Sequence, residues 1–182
     1  FIASKKIKDS EKENWLKKAR KLKNYQKVNH FIIIPNYTEP VNKLRATLNS
    51  IASQTFPTKK IYVVLGMEAR EEKAEEKAEI LIKEFENIFG GIFATYHPDV
   101  FGEIKGKSSN QSFASKVIYR KLILKKIIDI DYATISSVDA DSIFDKQYFS
   151  YLTFEFLTDP KPYNKFWQSA NVNHNNFWNV PA

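Results

Sequence analysis

A single apolar stretch, His30-Phe31-Ile32-Ile33-Ile34-Pro35, sets the architecture of this chain. Its run of β-branched residues is typical of a strand that is buried on both faces, and the proline ends it. Similar runs occupy residues 60–65, 92–96 and 132–138, and helix-length segments separate the four runs. Strands that alternate with helices in this way predict right-handed βαβ units. We therefore expect an α/β fold with a mostly parallel sheet and flanking helices.

The helical segments are recognised by apolar residues that recur at steps of three and four. The first stripe consists of Val41, Leu44, Leu48 and Ile51, and the second consists of Ala74, Ala78, Leu81, Phe85 and Ile88. Around the start of the second stripe lies a run of charged residues, Glu71, Glu72, Lys73, Glu75, Glu76 and Lys77. We interpret this charged run as a solvated helix face.

Composition limits the class of protein. With 182 residues, of which 43% are hydrophobic, the chain can bury a core and is best described as one domain. It has no cysteine, which excludes disulfides and thiolate metal ligands. No apolar run reaches the roughly 18 residues of a membrane span. Because the sequence opens on Phe1 rather than on methionine, we expect an excerpt of a longer protein.

The positive charge is concentrated at the start of the chain. Residues 1–30 contain ten Lys or Arg against three Asp or Glu, whereas the remainder contains 18 of each. We therefore separate a basic, helical lead-in, residues 1–28, from a neutral body, residues 29–182. The lead-in is either a solvated helix or a segment that faces anionic lipid. Nucleic acid is disfavoured as a partner because no known binding motif is present.

Polar segments follow all four predicted strands, at residues 35–39, 66–68, 97–107 and 139–141. Because ligands of parallel sheets bind at the carboxyl ends of the strands, these segments predict one site. Its most informative part is Asp139-Ala140-Asp141. Two carboxylates at the mouth of a buried strand repel each other unless a cation lies between them, and hard oxygen ligands suit Mg²⁺ or Mn²⁺. The alternative is a helix cap, in which Asp141 or Asp145 accepts backbone N–H bonds.

The segment Gly106-Lys107-Ser108-Ser109 is a candidate for binding phosphate. Three residues separate Gly102 from Gly106, where a nucleotide-binding P-loop needs four, so a P-loop is excluded. A looser role remains, because Gly106 lets a ligand approach the backbone, Lys107 supplies a charge and the serines open a helix. The alternative is a flexible loop with a solvated lysine. No Gly-x-Gly-x-x-Gly follows the first strand, which argues against a dinucleotide fold.

Together these motifs resemble those of family 2 glycosyltransferases, and residues 29–182 look like the nucleotide-sugar-binding part of such an enzyme. Pro35-Asn36-Tyr37-Thr38-Glu39 is similar to the family's Pro-x-Tyr-x-Glu start. Gly106-Lys107-Ser108-Ser109-Asn110 is similar to its Gly-Lys loop, and Ser137-Val138-Asp139-Ala140-Asp141 to its Asp-x-Asp strand end. Trp167-Gln168-Ser169-Ala170 resembles the Gln-containing strand that comes next. The resemblance implies a Rossmann-like GT-A fold, truncated here.

The resemblance also implies roles for individual residues. The implied nucleotide-sugar-binding residues are Pro35, Tyr37, Glu39, Glu68, Gly106, Lys107, Asn110 and Asp139, and the implied metal ligands are Asp139 and Asp141. The first three would border the base and ribose, and the Gly-Lys loop would face the diphosphate and sugar. Leu65-Gly66-Met67 stands where the family has acidic residues, which leaves Glu68 as the nearest carboxylate.

The implied activity is metal-dependent, inverting transfer of a sugar from a nucleoside-diphosphate donor, a UDP-sugar in the first instance, to an acceptor hydroxyl. The cofactor would be Mg²⁺ or Mn²⁺, and the catalytic base would lie beyond Ala182. The closest resemblance is to bacterial members flanked by transmembrane helices, which implies membrane association through flanking segments at the cytoplasmic face. One alternative is a sugar-nucleotide pyrophosphorylase, which would need a Gly-rich signature at residues 36–38. The other is a non-catalytic membrane-surface or scaffold domain that uses the basic lead-in.

Overall fold

A four-stranded sheet organises the molecule, whose computed structural model describes residues 2–169. Its strands are β1 (Asn29–Asn36), β2 (Ile61–Glu68), β3 (Gly91–His97) and β4 (Ala133–Ser137). Every neighbouring pair is parallel, and the order across the sheet is β3-β2-β1-β4. The predicted α/β class with a parallel sheet and flanking helices is confirmed.

Six α-helices accompany these strands within residues 2–169. They are α1 (Ile2–Glu11), α2 (Trp15–Ala19), α3 (Val41–Ala52), α4 (Ala74–Phe85), α5 (Lys107–Ile118) and α6 (Tyr148–Thr158). The two apolar stripes predicted from the sequence lie on α3 and α4, except that α4 ends before Ile88, and Leu44, Leu48 and Leu81 are fully buried. No helix in the described part combines the length and the apolar character needed to cross a bilayer.

β1 is the centre of the core because it is buried on both faces. Ile32 and Ile34 belong to a cluster formed with α3, α4 and α6. Phe31 and Ile33 point the other way and join a second cluster that α5 covers. Successive side chains of a strand alternate between its faces, so a central parallel strand needs a continuous apolar run. The isoleucine run meets that requirement.

His30, at the base of β1, ties β4 to α6. Its Nδ1 lies 2.6 Å from the Thr134 hydroxyl, and its Nε2 lies 2.8 Å from the Thr153 hydroxyl. The Thr153 hydroxyl donates to the Phe149 carbonyl, so it accepts from Nε2, and Nδ1 accepts from Thr134. Burial lowers the pKa of His30 to about 3, against a smaller opposing effect of the Phe149 backbone. The imidazole is therefore neutral.

The second half of the lead-in packs onto the body of the domain. The ring of Trp15 in α2 lies 4.6 Å from that of Tyr151 and 5.3 Å from that of Phe154, both in α6. The Trp15 backbone N–H donates to Gln147 Oε1 at 3.0 Å, and Ala19 is fully buried. Aromatic packing thus holds α2 against α6, while the domain boundary at residue 28 remains a prediction.

Two expectations at the far edge of the sheet are wrong. β4 was expected to be buried, but among the described residues it pairs with β1 alone, and Ile135 is 55% exposed. A strand was expected at residues 167–170, yet residues 167–169 have no regular secondary structure, and Ala170 lies outside the described residues. An apolar run indicates that its side chains favour burial, but it does not determine how many strands pair with it.

The interpretation of the charged run as a solvated face is also wrong in part. Lys77 is only 5% exposed, and the side chain of Glu71, with which it forms an ion pair, is 13% exposed. Lys77 follows Ala74 by three residues and precedes Leu81 by four, so the helix turns it towards the buried side. Its ammonium reaches the loop that follows β1.

Candidate functional site

A cleft of about 420 Å³ opens at the carboxyl ends of the strands. β2 and β3 lie on one side of β1 and β4 on the other, so the order of the strands reverses between β1 and β4. Open α/β sheets bind their ligands at such switch points. All nine residues predicted from the sequence line this one cleft, namely Pro35, Tyr37, Glu39, Glu68, Gly106, Lys107, Asn110, Asp139 and Asp141. The structure brings them together, and their individual binding roles remain predictions.

One wall of the cleft is formed by Tyr37, in the loop after β1. Its ring is 39% exposed, and the Arg70 guanidinium lies 4.2 Å from the ring centroid. The Tyr37 backbone N–H donates to Glu39 Oε2 at 2.9 Å, which shapes the loop locally. An aromatic ring backed by a guanidinium plane offers a flat surface on which a nucleobase can stack.

The floor of the cleft depends on a close approach between α5 and β2. Asn110 is 1% exposed, and its Nδ2 donates to the Gly66 carbonyl at 2.8 Å and to Glu68 Oε1 at 3.0 Å. A Cβ at position 66 would lie 2.5 Å from Asn110 Oδ1, so any larger residue there would displace the Asn110 side chain. Asn110 Oδ1 is buried, and it has no hydrogen-bond partner within the described residues.

Glu68, the buried carboxylate of the floor, is surrounded by protein groups. Its Oε2 lies 3.5 Å from Arg70 Nε and 3.6 Å from His97 Nδ1. The other ring nitrogen of His97 lies 3.3 Å from Glu103 Oε2, so the imidazole sits between two carboxylates. Both oxygens of Glu68 therefore face neighbours in the fold, which fixes the position of the carboxylate beside the cleft.

Lys107 and Asp139, which both line the cleft, form an ion pair. Lys107 is the first residue of α5, and its Nζ pairs with Asp139 Oδ1. The two side chains are 50% and 68% exposed, so neither is held by burial. Asp141 is also exposed on the cleft. Both carboxylates are therefore in contact with solvent, so the expectation of two acids at the mouth of a buried strand is wrong in this respect.

The acid pair nevertheless fits a divalent cation that is bound together with phosphate. No group of three His, Cys, Asp or Glu suitable for a metal occurs within residues 2–169. The ammonium of Lys107 on Asp139 marks this carboxylate as a position that attracts positive charge. Mg²⁺ and Mn²⁺ commonly take one or two carboxylates and complete their shell with water and substrate oxygens. Of the two acids in the alternative interpretation, Asp145 accepts a backbone N–H bond, from Gln147 at 2.8 Å, but this bond lies just before α6 and does not cap its first turn.

Three basic residues near the cleft were missed by sequence reasoning. Lys43 and Arg70 line it directly, and Lys77 supports it from behind. Arg70 lies in an irregular turn after β2, where no periodic pattern indicates which way a side chain points. A signal for Lys77 did exist, because its spacing from Ala74 and Leu81 places it in the buried stripe.

Comparison with solved structures identifies the architecture that carries this cleft. The mannosyltransferase PcManGT from Pyrobaculum calidifontis, solved in complex with GDP-Man and Mn²⁺, has a TM-score of 0.50 and 15% sequence identity to this chain. The similarity covers 88% of this chain and 44% of the mannosyltransferase. The fold is of the GT-A type.

TarS from S. aureus is also similar, with a TM-score of 0.45 and 16% identity, over 71% of this chain and 19% of TarS. The chain thus spans less than half the length of either protein. No protein-family model and no curated protein sequence matches it. Membership of family 2 therefore remains a prediction.

Proposed function

We propose that this chain is the donor-binding part of a glycosyltransferase, which binds a nucleoside-diphosphate sugar together with Mg²⁺ or Mn²⁺. The observation that carries the proposal is the convergence of four separate segments on one cleft at the switch point of a GT-A fold. The mannosyltransferase of similar fold, with its bound GDP-Man and Mn²⁺, supports the same class of donor and cofactor.

Different lining residues bind different parts of the donor, according to their chemistry. The wall formed by Tyr37 and Arg70 takes the base. Lys107 and the amino end of α5 face the diphosphate, where a point charge and free backbone N–H groups stabilise negative charge as the leaving group departs. Asp139 and Asp141 would hold the cation, which supplies further charge neutralisation on the diphosphate when bound.

The finer features of the reaction are part of the same proposal. The donor is a UDP-sugar, and the chain belongs to family 2. The sugar is transferred with inversion of configuration. A carboxylate outside the described residues deprotonates the acceptor hydroxyl. The basic lead-in faces anionic lipid at the cytoplasmic side of a membrane.

Calorimetric titration of the 182-residue chain with UDP in the presence of Mn²⁺ tests the proposal. We expect binding that weakens about tenfold or more in Asp141→Asn, because the cation loses a ligand. Asp145→Asn is the matched control, since Asp145 accepts a bond from the Gln147 backbone N–H and does not line the cleft. Absence of UDP binding, or equal affinity in Asp141→Asn and the native chain, would contradict the proposal. A parallel titration with GDP shows which base the cleft selects.

A further inference from the structure

Lys77 is a buried lysine whose hydrogen bonds are directed at the loop after β1. Its Nζ donates to Asn36 Oδ1 at 3.1 Å, to the Tyr37 carbonyl at 3.3 Å and to the Glu39 carbonyl at 3.0 Å. The fourth contact is an ion pair with Glu71 Oε1. An ammonium has three protons, so all of its donors are engaged.

Burying a lysine is costly, and this one stabilises a loop rather than the centre of the core. Lysines are almost never fully buried unless they are paired and hydrogen-bonded. Two of the three loop oxygens bound by Lys77 are backbone carbonyls, and the residues that carry them, Tyr37 and Glu39, line the cleft. The side-chain amide of Asn36 also donates, from its Nδ2, to Met67 Sδ at 3.1 Å. The backbone of the loop is thus fastened to α4 through a single ammonium.

We propose that Lys77 is a positioning residue, which fixes the loop of residues 36–39 so that the Tyr37 wall is in place before a nucleotide arrives. This inference rests on the proposed function, and it goes beyond it by assigning the preorganisation of the site to a residue that does not line the cleft. A loop that is ordered in advance loses less conformational entropy when a ligand binds, so the ligand binds more tightly. The compact ammonium converges on several carbonyls at once, which a neutral side chain cannot do.

The test separates this role from a contribution to stability. Lys77→Met alone leaves Glu71 as an unpaired, mostly buried carboxylate, so it lowers the free energy of unfolding. In the double variant Lys77→Met/Glu71→Gln the uncompensated charge is gone, and we expect most of the stability to return. The loop remains unfastened, so we expect UDP affinity in Mn²⁺ to stay roughly fivefold or more below that of the native chain. Lys83→Met, an exposed lysine of the same helix, is the control and should match the native chain.

Amide hydrogen exchange supplies a readout that does not require nucleotide. We expect exchange of residues 36–41 to rise roughly tenfold in the double variant while β2 stays protected. In the native chain the same amides should already be protected, with less than about twofold further protection upon UDP binding. Native UDP affinity in the double variant, or a native loop that becomes protected only with UDP, would overturn the inference. If the native chain binds no UDP, the proposed function fails, and the exchange data still decide whether Lys77 orders the loop.

Discussion

Acidification tests whether the fold holds His30 in its neutral form. The folded pKa is about 3, whereas an unfolded histidine titrates near 6.5. Between these values the unfolded chain binds a proton that the folded chain does not bind, so stability falls as the pH drops below 6.5. At pH 5.0 protonation of His30 in the unfolded state raises the unfolding equilibrium constant by a factor of about 30, which lowers the free energy of unfolding by about 2 kcal/mol. At pH 7.5 the same effect is below about 0.1 kcal/mol.

Urea unfolding at pH 7.5 and pH 5.0, followed by tryptophan fluorescence, measures this loss. The comparison is with His30→Gln, whose amide can bond to the hydroxyls of Thr134 and Thr153 but does not titrate. All other groups titrate in both proteins, so the native chain should lose about 2 kcal/mol more than the variant between the two pH values. Equal losses would refute the reasoning. So would a His30 imidazole resonance that titrates near pH 6.5 in the folded native protein, a measurement that needs no variant.

Three further substitutions probe the cleft. Gly66→Ala places a methyl group against Asn110 Oδ1, so we expect a loss of about 1–3 kcal/mol in urea unfolding, and an unchanged midpoint would contradict the contact. Lys107→Met should have opposite effects on two ligands in calorimetry: weaker UDP binding, but Mn²⁺ binding without nucleotide that is stronger by up to about fivefold, because the ammonium no longer competes at Asp139. Changes of the same sign would show that Lys107 does not compete with the cation. Tyr37→Leu should weaken UDP binding about tenfold with little change in thermal stability, since the ring is partly exposed; a marked drop in melting temperature would mean that the ring stabilises the fold.

The sheet and the position of the cleft could be predicted because both follow from short-range pattern. The run from Phe31 to Ile34 can only be satisfied by burial on both faces, and the helix stripes on either side of β2 require parallel crossovers. Once the strands are parallel, their carboxyl ends share one edge, and polar segments that follow them must meet there. Tyr37, Lys107 and Asp139 could therefore be predicted to share one surface without any knowledge of distances.

The support behind the cleft could not be predicted in the same way. Lys77 lies 40 residues from the carbonyl of Tyr37, and its neighbours in sequence are charged, so local composition suggested solvent. Two of its four partners are backbone oxygens, which no sequence pattern records. The Asn110–Gly66 contact could not be predicted either. The lack of a Cβ at Gly66 becomes important only because a side chain from another element occupies the space beside it. Similarly, the exposure of β4 depends on which strands pair with it and not on its own residues.

The strand order also bears on how the protein is synthesised. β1 pairs with both β2 and β4, but Thr134 of β4 follows His30 by 104 residues. At roughly 5–20 residues per second, a ribosome needs about 5–20 seconds to add that stretch. Throughout this interval the most apolar strand of the nascent chain has one unpaired edge, and such edges are where polypeptides associate with one another. Translation therefore passes through a period of high aggregation risk that ends only when the acid-bearing strand emerges.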